Sequence, residues 1–114
     1  MRFALALAAC LVVAPAVAQQ PPRPPERLQG IEGRDVWVWR DADAMAEGRR
    51  LIEAGINRTR PDMVVPLVAC IVESGTAVIA TGRARFGIWN VVVVDGPRAG
   101  CRGVVNFEAI VFPP

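Results

Sequence analysis

Cys70 and Cys101 are the residues best equipped for covalent chemistry in this chain, and their surroundings decide which kind. A nucleophilic thiolate needs a base or cation to lower its pKa, and a dithiol redox pair uses C-x-x-C spacing. The sequence holds no His, and neither cysteine sits in a C-x-x-C motif. The two are therefore read as partners in one structural disulfide. Closing a loop of roughly thirty residues stabilises a fold by about 3–4 kcal/mol in the chain-entropy model.

Other chemistries fail on inventory. Ser74 is the lone serine, in an expected turn, with no imidazole to activate it. Zinc and copper sites draw on His or free Cys. A phosphate-binding P-loop needs a lysine, and every cation of this chain is an arginine. Asp41-Ala42-Asp43 opens like a calcium loop, then fails. Met45 holds the fifth position, Ala46 stands where glycine is required, and Ile52 stands where the bidentate acid belongs. These two aspartates are read as capping a helix. Eleven acids leave room for a carboxylate pair, and nothing in the pattern singles one out. The expectation is a protein without catalysis, metal or cofactor.

The compartment follows from the N-terminus. Arg2 is a positive n-region and Phe3 to Val13 an apolar run, and Ala16-Val17-Ala18 is a small-x-small cleavage pattern. Residues 1–18 are expected to be a signal peptide, too short to span a bilayer comfortably. Leu7-Ala8-Ala9-Cys10 also resembles a lipobox, which would make Cys10 a lipidated mature N-terminus. Cleavage after Ala18 is preferred, because the lipobox leaves the apolar Leu11 to Ala18 stretch on the product. The expected location is periplasmic or secreted, with no transmembrane segment after cleavage. Acids scattered among the arginines give no electrostatic case for nucleic acid.

The mature chain is short enough for one domain, expected over residues 30–114 behind a proline-rich arm at 19–29. Pro21, Pro22, Pro24 and Pro25 fix φ and remove amide donors, so the arm is expected to be extended and polyproline-like. Its P-x-x-P spacings suit aromatic grooves, though a stiff spacer is the plainer use. Beyond it, Asp35 to Arg40 alternates, with Val36 and Val38 on one face and Trp37 and Trp39 on the other. That predicts a strand covered on both faces. Ala44, Gly48, Leu51 and Ile52 form the stripe of an amphipathic helix over Ala44 to Ala54, with Gly55 suited to end it. Short β-rich runs follow at Leu67 to Val72, Thr76 to Thr81, Ile88 to Val94 and Cys101 to Val105. Turns are expected at Glu73-Ser74-Gly75, Gly82 to Gly87 and Asp95-Gly96-Pro97.

The segment Trp89-Asn90-Val91-Val92-Val93-Val94-Asp95-Gly96, followed by Gly100-Cys101-Arg102-Gly103-Val104-Val105-Asn106-Phe107-Glu108-Ala109-Ile110, resembles the end of a bacterial SH3-like domain over roughly residues 65 to 112. Such domains carry a Trp-x-x-Val strand, a Gly turn, a Gly-Trp-Val strand, one helical turn and a last aliphatic. Val104 replaces the usual tryptophan, and Asn106 stands where eukaryotic members have proline. The resemblance implies a mainly β fold: a small SH3-like barrel of about five strands, with one inserted amphipathic helix and one disulfide.

Recognition has two candidate surfaces. Arg83, Arg85, Phe86 and Trp89 gather two guanidiniums and two rings on a glycine-bounded hairpin tip. A plainer assignment buries Phe86 and Trp89 in the core and leaves a charged turn. Arg49, Arg50, Arg58 and Arg60 cluster around the helix end, where they complement its dipole. The expected function is an exported SH3-like binding module of the bacterial cell envelope, recognising a protein or cell-wall partner. The alternative is an accessory or inhibitory subunit of an extracytoplasmic enzyme.

Overall fold

The alternating strand at Val36–Trp39 (β2) sits inside one seven-stranded antiparallel sheet, and its two faces feed two separate cores. The computed structural model describes residues 24–114. The expected signal peptide, Cys10 and positions 19–23 of the arm lie outside the described residues. The other strands are Glu26–Leu28 (β1), Val68–Val72 (β3), Ala77–Arg85 (β4), Ile88–Val93 (β5), Arg102–Asn106 (β6) and Ile110–Val111 (β7). Their order across the sheet is β3-β2-β6-β5-β4-β1-β7.

The sheet curls so that every strand sends a side chain into the first core. Leu28, Val36, Val38, Val72, Val78, Val91, Val93, Val105 and Ile110 meet there, with Cys70 at its edge. The second core lies on the opposite face of β2 and β6. Trp39 and Val104 pack there with Met45 and Val64, flanked by Trp37, Leu51 and Ile52. Period-2 alternation is what lets one short strand serve both.

The cover of the second core is a helix at Ala42–Glu53 (α1), close to the expected span. Asp41 caps it: its Oδ1 accepts a hydrogen bond from the Ala44 amide at 2.7 Å. Gly55 takes φ 75°, ends the helix and starts a short one at Ile56–Thr59 (α2). Two 3-10 turns, Pro61–Met63 and Val65–Leu67, then deliver the chain to β3. The disulfide joins Cys70 on β3 to Cys101 just before β6, as expected, across a sequence separation of 31.

The structure corrects three expectations. The sheet has seven strands, against about five expected. It also begins at Glu26, four positions before the expected start at Gly30. β1 is inserted between β4 and β7, and Leu28, with 0% of its surface exposed, fills the first core. Finally, Gly82 does not open a turn: β4 continues to Arg85. Register shifts at Ala80/Gly82 and Arg83/Arg85 absorb the irregular sequence there without ending the pairing. The turn proper shrinks to Phe86 and Gly87.

Candidate functional site

Three aromatic side chains from three elements converge beside the β4–β5 hairpin. Trp89 comes from β5, Phe107 from the 3-10 turn Phe107–Ala109, and Phe112 from the residue after β7. Their ring centroids are 5.9 to 6.4 Å apart, at tilted or edge-on angles. Aromatic pairs prefer such offsets because each ring has a negative face and a positive rim. Trp89 is half-buried, with one side against the first core. Phe107 and Phe112 remain 47% and 42% exposed.

Local hydrogen bonds hold this arrangement. The Phe107 amide donates to the Gly87 carbonyl at 2.8 Å, tying the 3-10 turn to the hairpin tip. Asn106 caps that turn, its Oδ1 accepting from the Glu108 amide at 3.4 Å. Arg83 faces Trp89 across the β4–β5 ladder, with its Cζ 5.8 Å from the indole centroid. A guanidinium at that range is attracted to the ring quadrupole by about 0.5–1 kcal/mol when exposed.

The four residues singled out in the sequence therefore separate. Arg83 and Trp89 join the ring cluster. Arg85 instead reaches helix α1, with its Nη2 2.7 Å from Asp43 Oδ1. Phe86 stands alone at the apex, 96% exposed, so it does not fill the core. Sequence reasoning missed Phe107 and Phe112 as members of the site. Only the resemblance, which sets a helical turn after the Gly103-Val104 strand, pointed at their neighbourhood.

Two of the four arginines of the second candidate surface are paired with neighbouring acids. Arg50 pairs with Glu47 along α1. Arg60 holds both oxygens of Asp62, at 3.1 and 3.0 Å. That bond keeps the Asp62 carboxyl below its usual range and the Arg60 guanidinium above its own.

Two of the polar side chains around one groove are committed to backbone. Asp35, Glu73, Ser74 and Asp95 line a recess beside the β3–β4 turn. Within it, Ser74 Oγ accepts from the Gly30 amide at 3.1 Å and Asp95 Oδ1 from the Ala77 amide at 2.9 Å. Both fix chain segments in place. Among the described residues no three His, Cys, Asp or Glu side chains form a group able to hold a metal. No described helix is long and apolar enough to cross a membrane. No protein-family model, curated protein or solved structure matches the chain.

Proposed function

We propose that this chain is an exported, non-catalytic SH3-like binding module of the bacterial envelope, and that it grips its partner with the β4–β5 hairpin. The observation that carries the binding surface is the exposed phenylalanine at the apex, Phe86, on the hairpin that also carries Arg83. An exposed aromatic side chain with few rotatable bonds supplies contact area at low entropic cost, and such residues dominate binding energy at interfaces. Arg83, on the same hairpin, fits a partner bearing carboxylates.

The SH3-like reading is supported by the β4–β5–β6 meander, the single 3-10 turn after it, and a last short strand lying beside the first. Export is supported by the disulfide, since such bonds persist mainly in oxidising compartments.

The test compares the mature chain with Phe86→Ala on isolated peptidoglycan and in envelope extract. Retention on peptidoglycan, weakened at least tenfold by the substitution, supports a wall-binding module. One stoichiometric protein partner, lost in the same way, supports the accessory or inhibitory subunit. Equal behaviour of the two chains on both materials rejects the hairpin as the binding surface.

A further inference from the structure

We propose that the outer edge of β3 takes up an extended segment of a partner protein as one more strand. That segment carries apolar side chains at alternate positions and a basic residue at its N-terminal end. The site lies on other elements than the β4–β5 hairpin and does not rest on it. Its first support is backbone left over. β3 ends the sheet order and pairs only with β2. Among the described residues, no backbone bond outside that pairing reaches Val68–Val72. A row of unpaired amides and carbonyls is a template for an added strand.

The second support is that the other open stretches of edge are guarded. β7 has two residues and meets Pro113 and Pro114 one residue later, where no amide can donate. β4 beyond Val78 carries Arg83, Arg85 and two register shifts, and its Ala80 amide donates to Glu26 Oε2 at 3.5 Å. Charge, proline and irregularity are the devices that keep an edge from pairing. β3 reads Val-Ala-Cys-Ile-Val, without charge or proline. Its one register shift falls between Val38 and Trp39 of β2, so Cys70 to Val72 is regular. The bridge to Cys101 pins that stretch, which lowers the ordering cost of binding.

The third support is what the side chains around β3 ask of an occupant. A groove of about 430 Å³ is lined by Trp37, Val64, Val65, Ala69 and Ile71. Val65 is 67% and Ile71 43% exposed, so apolar side chains laid there leave water. The groove shares Ile71 and Arg98 with the recess of Asp35, Glu73 and Asp95. Neither Asp35, Glu73 nor Arg98 is ion-paired with a described residue. Three carboxylates against one guanidinium make that end a site for a cation. Glu73 directly follows β3, so an antiparallel strand sets its N-terminal end there. A second copy fits less well. Pairing β3 with its copy about Cys70 sets Glu73 opposite Leu67, in a 3-10 turn that holds Pro66. It also brings no free cation, since Arg60, the last arginine before β3, is held by Asp62.

The probe is the blocked hexapeptide acetyl-Arg-Thr-Val-Thr-Ile-Thr-amide, titrated into the mature chain and followed by nuclear magnetic resonance. Its Arg, Val and Ile share one face of a strand. Amides from Cys70 to Glu73 and the Trp37 indole should shift while the Trp89 indole stays, and hydrogen exchange in β3 should slow. The peptide with Glu in place of Arg should bind at least tenfold more weakly. Asp35→Asn with Glu73→Gln should remove that preference. N-methylation of alternate peptide amides should abolish binding for one set and spare the other, because only one set faces β3. Phe86→Ala should leave binding of the probe unchanged, which separates this result from that of the hairpin. Absence of binding at millimolar peptide overturns the proposal. So do equal binding of the Arg and Glu peptides, equal behaviour of the two N-methylated sets, and weakening by Phe86→Ala. Protection of β3 amides that rises with protein concentration, without peptide, overturns it in favour of a second copy.

Discussion

Gly48 on helix α1 touches the six-membered ring of Trp39 on β2 with its bare backbone. A Cβ at position 48 would overlap Cζ3 and Cη2 of that ring and stand 2.9 Å from Cε3. The glycine thus sets how closely the helix approaches the sheet, and the second core is built around that approach. Gly48→Ala brings two opposing effects. It gains about 1 kcal/mol of helix propensity, and it loses typically 1–3 kcal/mol to overpacking. Trp39 is 6% exposed and packed with Met45, Val64 and Val104, so the loss should win. Urea denaturation of the variant should show a lower midpoint with an unchanged slope. A raised midpoint would mean the helix slides outward at no cost.

Removing the disulfide should be severe. Cys70→Ser with Cys101→Ser releases a loop worth about 3–4 kcal/mol. At about 4–8 °C per kcal/mol for a domain of this size, Tm should fall by more than about 10 °C. Thermal unfolding of the oxidised chain against the double variant measures it.

The hairpin apex should be separable from stability. Phe86→Ala removes a ring that meets solvent on nearly all sides, so its effect on unfolding should stay within about 0.5 kcal/mol. Partner capture should weaken at least tenfold, equivalent to about 1.4 kcal/mol. A large stability loss instead would show that the ring packs against something in solution.

Truncation should locate the true start of the domain. A chain beginning at Pro24 should unfold cooperatively. One beginning at Gly30 lacks β1 and the buried Leu28, and should lose the sharp transition. Leu28→Ala in the longer chain should cost about 2–5 kcal/mol, as buried leucine truncations do. Circular dichroism melts of the three proteins distinguish these outcomes.

The Arg60–Asp62 bond makes a signed prediction about acid. Asp62 has a folded pKa below its ordinary 3.8. Its contribution is therefore present above that value and is lost as pH falls through the lower folded value. Both side chains are exposed, so the effect is small. The stability difference between the chain and Asp62→Asn should be flat from pH 5 to 8, and it should vanish in stronger acid. A difference that grows toward low pH contradicts this assignment.

Much of the fold was legible because alternation and helical spacing are local signals. Val36 to Trp39 announced a strand with two covered faces, and Gly48, Leu51 and Ile52 announced the helix that covers one of them. β1 was hidden because three residues are too few to show a period, and the prolines before them read as an arm. Gly82 misled in the opposite direction, since a glycine inside a bulged strand looks like the start of a turn. The disulfide was legible by elimination. The ring cluster was not, because Trp89 meets Phe107 and Phe112 only through the path of β6 and β7. No short window contains that information.

The Cys70–Cys101 bridge spans the whole β4–β5 hairpin, including its exposed apex. A protease nicking the backbone between Arg85 and Phe86 would therefore release nothing. The two pieces stay joined through sulfur, and the ladders on either side still hold them in register. The hairpin can be cut at its most accessible point while the protein keeps its mass until a reductant arrives.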